Sequence, residues 1–194
     1  MTYCLAFLFA LAACAQKLDA CEDCEMMLEG MPAEIQSSTL LSPVGEPGEP
    51  LKIDGIIYKP DGKTPAPGII LYVYHTDATG RYTPGKDQKD ARRHGHLRGW
   101  VKSDANGRYS FTTIRPASYP NRQDPQHIHP IIREPDGIYY WIDEFLFDDD
   151  PKLPARERER QKPRGGSGIL HLTKDASGTW IGKRNITLRL NVTP

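Results

Sequence analysis

Gly68-Ile-Ile-Leu-Tyr-Val-Tyr-His75 is the stretch of this sequence that decides the fold. Apolar side chains fall on both faces of the extended chain, and Val, Ile and Tyr are residue types that favour β-strands. A strand that is apolar on both faces must be covered on both sides, so we predict a central strand of a sheet. Asp77-Ala-Thr-Gly80 follows almost directly and has the composition of a turn.

Further β-rich runs lie on both sides of this strand and are separated by turn sequences. They comprise residues 51–58, 100–102, 108–114, 127–132 and 138–147, with a closing pair at 169–173 and 180–192. The segment 148–168 is charged and contains proline, so we expect a solvated loop there rather than a helix at 155–162. Short strands joined by turns, without a long helical pattern, predict an all-β protein, an antiparallel β-sandwich.

The composition limits both the number of domains and the class of partner. A chain of 194 residues accommodates one ordinary domain and a targeting segment. Lys and Arg total 25, as do Asp and Glu, and no long basic stripe with interleaved aromatic residues occurs, so nucleic acid is not an expected partner. A domain of about 145 residues buries roughly 70% of its surface on folding, so a metal ion would serve function rather than folding.

Residues 1–13 form an apolar segment that is too short to span a bilayer and is followed at once by polar sequence. We interpret this segment as a signal peptide. Leu11-Ala-Ala-Cys14 resembles the bacterial lipobox, which would make Cys14 the lipidated first residue of the mature protein; Ala13-Cys14-Ala15 also fits plain secretion with Gln16 first. We expect the lipoprotein, which is exported, anchored through Cys14, and faces the periplasm or the cell exterior.

Residues 14–50 are predicted to form a short helical or irregular tether before a β-sandwich domain at residues 51–194. Ser, Pro and Gly are frequent between residues 37 and 50, as in a linker. Cys21 and Cys24 have the C-x-x-C spacing of redox and zinc motifs, but no second pair occurs and no βαβ pattern follows. In an oxidising compartment we expect a small local disulfide between them.

Tyr119-Pro-Asn-Arg-Gln-Asp-Pro-Gln-His127-Ile-His129 places a tyrosine and a His-x-His pair within this β-like sequence. Alternate residues of a strand point to the same face, so we expect His127 and His129 on one side and Ile128 on the other. Tyr119 precedes a proline at the end of a strand, so its phenol can return to the same point. The stretch therefore predicts half of a metal site.

A site with two tyrosines and two histidines suits ferric iron. Fe(III) is a hard cation that lowers the pKa of a phenol enough to hold it as phenolate, and two phenolates with one hydroxide balance its charge. The chain has nine tyrosines, so spacing alone does not identify the second one.

Three motifs occur along the chain in a fixed order: Gly80-Arg-Tyr82, Thr113-Ile-Arg-Pro-Ala-Ser-Tyr-Pro120 and His127-Ile-His129. In this order they resemble the intradiol ring-cleavage dioxygenases, over roughly residues 51–147. The resemblance implies the intradiol dioxygenase type of β-sandwich and a non-haem Fe(III) ion held by Tyr82, Tyr119, His127 and His129. It implies that Tyr119 is an axial ligand that leaves when a catechol binds. The implied reaction is cleavage of a small catechol by O₂ to a cis,cis-muconate-type diacid.

Two positions depart from the pattern of that family. The relatives carry an arginine three residues before the first histidine, where this chain has Asp124, and their loop is longer than the eight-residue interval here. Arg122 is expected either to supply the missing guanidinium, which would polarise a substrate oxygen, or to lie at the surface. The pocket glutamine of the family aligns with Glu144, whose carboxylate would act as a base for the second catechol proton or face solvent.

Two alternative functions remain open from the sequence. His94-Gly-His96 repeats the His-x-His spacing and, with His127 and His129, would make a copper or zinc site, although its glycine-containing loop favours a solvated pair. A non-catalytic β-sandwich binding module would share the same strand and turn signals. Metal analysis separates the first alternative from a ferric enzyme, and oxygen uptake separates the second.

Overall fold

A computed structural model describes residue 21, residues 23–85 and residues 94–192 of the chain. The predicted signal peptide, Cys14 and the first part of the predicted tether lie outside these residues, and what we infer of them stays a prediction. Within the described ranges, no helix is long and apolar enough to cross a membrane.

The described chain is built mainly of strands, because its β-branched and aromatic runs alternate with glycine- and proline-containing turns. The elements are a 3-10 helix at Cys24–Leu28, β1 at Ser38–Leu40, β2 at Pro50–Tyr58, β3 at Ile70–Tyr74, β4 at Arg98–Lys102, β5 at Arg108–Ile114, β6 at His127–Arg133, β7 at Tyr139–Trp141, β8 at Phe145–Phe147, α1 at Ala155–Arg158, β9 at Ile169–Leu170, β10 at Thr173–Lys174, β11 at Trp180–Lys183 and β12 at Ile186–Thr187. The loop expected at residues 148–168 thus contains only the four-residue helix α1.

The described strands form two six-stranded sheets, which confirms the predicted all-β sandwich. The first sheet has the order β1-β5-β2-β11-β10, with β12 also on β2; the second has the order β4-β3-β6-β8-β9, with β7 also on β6. Four pairings are parallel, namely β1–β5, β2–β11, β2–β12 and β8–β9, so the sheets are mixed rather than wholly antiparallel. Each parallel pair joins segments that a long connection separates, because a tight hairpin joins only antiparallel strands.

The strand predicted at residues 138–147 is divided into two. β7 pairs with the end of β6 at Arg133, whereas β8 pairs with its beginning at His127 and Ile128. The chain leaves the ladder at residues 142–144 between these two pairings. As a result, Glu144 lies in a break between strands rather than within one.

The main core lies between the two sheets. Along β2, Leu51, Ile53 and Ile57 are fully buried in it, in alternation with more exposed residues. β3 contributes Leu71 and Val73 to this core, while its other side chains join a second apolar cluster on the outer face. β3 is therefore buried on both faces, as predicted for a central strand, and the outer face needs a cover of its own.

The first described residues supply that cover and are not a free tether. The expected disulfide joins Cys21 to Cys24, and Cys24 and Met27 are fully buried in the same apolar cluster as Tyr72. The indole N–H of Trp100 donates to the carbonyl oxygen of Met27 at 2.8 Å. β1 further adds a strand to the first sheet beside β5. The boundary predicted at residue 51 is therefore too late, because the outer face of β3 would otherwise be exposed to water.

Replacing Met27 with alanine should lower the free energy of unfolding by about 2–5 kcal/mol, because truncating a fully buried methionine leaves a cavity. Leu28→Ala is the matched control, since Leu28 is 38% exposed and should cost less than about 1 kcal/mol. Chemical denaturation of both variants measures the difference. Equal, small effects would show that this segment is a tether after all.

Candidate metal centre

Three side chains converge on the hydroxyl of a fourth, that of Tyr119. The Tyr82 hydroxyl lies 2.8 Å from it, His127 Nε2 lies 3.1 Å away and His129 Nε2 lies 3.3 Å away. These are the residues that the resemblance implies as ligands. The structure thus gathers two phenols and two imidazoles from three separate segments of the chain.

Strand β6 supplies both imidazoles. Ile128 is fully buried in the main core, so His127 and His129 lie on the opposite, outer face of the sheet. In the ladder, His129 is paired with Tyr74 of β3, and their rings stack with centroids 4.7 Å apart at an angle of 19°. The strand pairing and the ring stacking together fix the orientation of the His129 imidazole.

A backbone carbonyl sets the tautomer of His127. Its Nδ1 lies 2.7 Å from the carbonyl oxygen of Pro125. A carbonyl oxygen can only accept a hydrogen bond, so Nδ1 carries the proton and Nε2 presents its lone pair towards Tyr119. Metal-bound histidines commonly hold their second nitrogen in this way, so the ring is arranged as a ligand would be.

Tyr82 is positioned by a turn that Asp77 organises. Asp77 Oδ1 accepts hydrogen bonds from the backbone N–H groups of Thr79 and Arg81 at 2.8 and 3.1 Å, and Oδ2 accepts one from the Thr83 hydroxyl at 2.6 Å. Burial alone would raise the pKa of Asp77, but the hydrogen bonds outweigh burial and hold that pKa below its ordinary value. The ionised carboxylate therefore fixes the chain on both sides of Tyr82.

This turn is docked on the segment that carries the second tyrosine. The Ala117 N–H donates to the Asp77 carbonyl at 3.2 Å, and the Thr76 hydroxyl donates to the Ala117 carbonyl at 2.7 Å. Gly80 has a φ of +77°, and a β-carbon at this position would overlap the carbonyl oxygen of Ser118. Because only glycine allows this approach, Gly80 is what lets the two phenols meet.

The short loop between Tyr119 and His127 is anchored by residues that follow β8. Arg115 donates to both carboxylate oxygens of Asp149 at 2.8 and 2.7 Å, and its Nε donates to Gln126 Oε1 at 2.7 Å. The backbone N–H of Gln126 donates to Asp150 Oδ2 at 2.6 Å. Both ends of the loop are thus tied to the residues that follow β8.

Burial keeps both phenols neutral in this geometry. Burial raises the pKa of Tyr82, and the neighbouring Tyr119 raises it further. Burial also raises the pKa of Tyr119. It lowers the pKa of His129 well below the ordinary value, so this imidazole is neutral and its nitrogen lone pair is available. A bound cation would supply the charge that ionises the phenols.

The donor set fits ferric iron better than other common metals. In the part of the chain that the structure describes, no three His, Cys, Asp or Glu side chains converge in a way that would hold a metal ion. The convergence here combines phenol oxygens with imidazole nitrogens. Phenolate is a hard anionic ligand, which suits a small trivalent cation rather than the thiolate-seeking or all-imidazole metals.

A cavity of about 290 Å³ opens beside these side chains. Tyr119, His127 and His129 line it, and Glu144 lines it too, with Oε1 3.8 Å from Nδ1 of His129. Glu144 therefore lines the cavity and is also partly exposed to solvent, and its role as a base stays a prediction. A larger polar groove of about 470 Å³ lies on the first sheet, but none of these residues lines it.

Arg122 does not line the cavity. Its side chain is 65% exposed, and its Nε donates to Asp124 Oδ2 at 2.8 Å. The guanidinium carbon lies over the Tyr119 ring, 5.3 Å from the centroid. The aspartate that replaces the arginine of the family thus holds Arg122 at the surface, which was the less functional of the two predicted placements.

Two arginines that the sequence analysis did not single out line the cavity instead. Arg156 belongs to α1 and Arg160 follows it. Arg160 Nη2 contacts Glu157 at 2.6 Å, and its Nε lies 3.6 Å from Asp143. Alternating charges are typical of any solvated loop, so no sequence signal separated these arginines from Arg158 between them.

The second His-x-His pair does not join the site. His94 Nδ1 lies 2.8 Å from the Tyr72 hydroxyl, and the His94 ring stacks on Tyr74 with centroids 3.7 Å apart. His96 Nε2 lies 2.9 Å from Glu46. Tyr74 is thus interposed between His94 and His129, and the four-histidine arrangement is not formed.

Comparison with known proteins identifies the family to which this chain belongs. The family model described as Dioxygenase matches residues 28–156. The chain is 38% identical over 93 residues to the protocatechuate 3,4-dioxygenase beta chain of Burkholderia cepacia, a match covering 44% of this chain and 39% of that protein. It is 29% identical over 137 residues to the chlorocatechol 1,2-dioxygenase of Pseudomonas sp. (strain P51), covering 62% of this chain and 52% of that protein.

A solved structure supports the same assignment of fold. Catechol 1,2-dioxygenase from Acinetobacter sp. ADP1, inhibited by bound mercury, matches with a TM-score of 0.60 at 19% identity, covering 84% of this chain and 60% of that one. The chain therefore belongs to the dioxygenase family. The relatives that it matches are intradiol dioxygenases, and it spans about half of their length or less in the sequence matches.

Gly80→Ala should separate the two phenols, because the new β-carbon would overlap the Ser118 carbonyl and force the turn away. Gly178→Ala is the matched control, since Gly178 also has a positive φ, +83°, but has nothing within 4 Å of the added carbon. We expect Gly80→Ala to lower the free energy of unfolding by about 1–3 kcal/mol more than the control. Denaturation curves give this difference, and loss of cross-peaks between the Tyr82 and Tyr119 rings by NMR reports the separation. Retained cross-peaks in Gly80→Ala would contradict the docking argument.

Proposed function

We propose that this chain is a non-haem Fe(III)-dependent intradiol dioxygenase that cleaves a catechol-type aromatic diol with O₂ to a cis,cis-muconate-type diacid. The observation that carries the proposal is the convergence of Tyr82, His127 and His129 on the hydroxyl of Tyr119, beside a cavity. The sequence relatives, which are named as protocatechuate and catechol dioxygenases, support the same class of reaction.

Two phenolate oxygens and two imidazole nitrogens would hold the ferric ion. When bound, the ion supplies the charge that keeps the phenols ionised and a Lewis-acid site for the oxygens of the diol. Tyr119 is the phenol of the pair that lines the cavity, so it is the one that an incoming diol meets. Tyr82 is fixed by the Asp77 turn and stays in place.

A catechol must lose two hydroxyl protons to bind as a dianion. The Tyr119 phenolate oxygen would accept one of these protons, because it lines the cavity that the diol would enter. Glu144 lines the same cavity, so its carboxylate is placed to accept the other. In the ferric protein His127 would not compete for these protons, because its Nδ1 already carries a proton and the lone pair of its Nε2 would be bound to the ion. Arg122 has no role in this proposal.

Protein loaded with Fe(III) should be red, because phenolate-to-Fe(III) charge transfer absorbs visible light. Tyr82→Phe and Tyr119→Phe should each weaken or shift this band. Tyr58→Phe is the matched control, since Tyr58 ends β2 in the other sheet, and it should leave the band unchanged. Absorption spectra of the three variants measure the effect. If both site variants keep the wild-type spectrum, these tyrosines are not the ligands.

Oxygen uptake tests turnover separately from metal binding. Catechol is added to the ferric protein under argon, O₂ is then admitted, and its consumption is followed together with the mass of the product. Glu144→Gln should reduce kcat about 10- to 100-fold, because the amide cannot accept the second proton. A colour change on adding catechol without any O₂ consumption would favour the non-catalytic binding module. Copper or zinc in place of iron would contradict the proposed ferric site.

A further inference from the structure

A second cavity adjoins the one beside the candidate metal centre. Its volume is also about 290 Å³, and it shares His129 and Glu144 with the first as common lining. Its remaining wall is apolar and aromatic, formed mainly by Tyr74, Trp141 and Ile142. The two cavities therefore meet at the residues where the diol is proposed to bind.

The position of this second cavity follows from the register of the sheet. Ile131 lies two residues beyond His129 on β6, so both side chains occupy the outer face. Ile131 is paired with Trp141 of β7, and His129 is paired with Tyr74 of β3. The cavity is thus the continuation of the face that carries the imidazoles, on the side away from the charged segment around α1.

The aromatic wall is held in place before any ligand arrives. The Tyr74 ring stacks on His94 at 3.7 Å and on His129 at 4.7 Å between centroids. The Arg164 guanidinium lies 3.7 Å from the centroid of the Trp141 ring, and its Nη2 donates to the Trp141 carbonyl at 3.1 Å. Side chains that are already ordered lose little conformational entropy when a ligand binds.

The two cavities differ in the charged side chains that line them. Charged side chains, including Asp124, Arg156 and Arg160, line the first cavity beside the tyrosine and the imidazoles. Among the residues that the structure describes, Glu144 at the boundary is the one charged side chain that lines the second. Small-molecule sites usually occupy roughly 300–1,000 Å³ and combine apolar walls with a few polar groups. Together the two cavities have a volume within that range, whereas the volume of either one alone lies at the lower limit of the range.

We propose that the second cavity is a subsite for an apolar ring or branched alkyl group attached to the aromatic diol. The substrate class would then be substituted catechols with an uncharged hydrophobic extension. Glu144 would disfavour a carboxylate on that extension, because two carboxylates in one partly buried site repel each other. This inference rests on the proposed function for the position of the diol itself.

The test compares the affinities of catechol and 4-phenylcatechol for the ferric protein under argon, by titration calorimetry. We expect 4-phenylcatechol to bind about tenfold more tightly, because its second ring is buried against the aromatic wall. Trp141→Ala should remove most of this preference and leave the affinity for catechol within about threefold. Trp180 lies on β11 in the other sheet, so the Trp180→Ala variant should keep the preference for 4-phenylcatechol. Oxygen uptake with both diols follows the titrations.

The outcomes separate the subsite from the reaction. Equal affinities for the two diols, or a preference that survives in Trp141→Ala, would overturn the subsite even if catechol is cleaved. A preference that depends on Trp141, without O₂ consumption from either diol, would support the subsite and overturn the proposed function. A Trp141-dependent preference together with cleavage of 4-phenylcatechol would support both.

Discussion

The pairing of β6 with β3 is the constraint on which the candidate site depends. Side chains along a strand alternate between faces, so a shift of one residue would turn His127 and His129 into the core and Ile128 outwards. Apolar side chains on both faces resist this shift, because Ile128 and Ile132 are buried between the sheets and Ile131 is buried beneath the N-terminal segment. Hydrophobic burial of the isoleucines therefore also orients the imidazoles.

The phenols depend on contacts of a different kind. Both tyrosines lie outside the strands, in loops that meet because a carboxylate organises one turn and a glycine lets it approach the other chain segment. The imidazoles are thus held by a ladder and the phenols by hydrogen bonds within and between two loops. Of the two phenols, Tyr119 lines the cavity, so in the proposed reaction it is the one that would give way to the diol.

The features that could be predicted from the sequence are those that the pattern of neighbouring residues determines. The alternation of β6 indicated that His127 and His129 share a face, and the two-sided apolarity of β3 indicated a central strand. Tyr82 could be singled out only through resemblance, since its partner lies 37 residues further along the chain. Arg122 and Asp124 are only two residues apart, but their spacing does not show which way the Arg122 side chain turns. The cover that residues before 51 give to the outer face of β3 is a long-range contact, and no local pattern indicates it.

The topology of the first sheet also governs how the protein comes to be folded. β2 lies between β5 on one side and β11 and β12 on the other, so residues 50–58 pair with residues as distant as Thr187. Closing such long loops costs entropy before the contacts can form, so β-rich chains of this kind fold slowly. Until residues 180–187 have left the ribosome, one edge of β2 stays unpaired and can recruit strands from other chains.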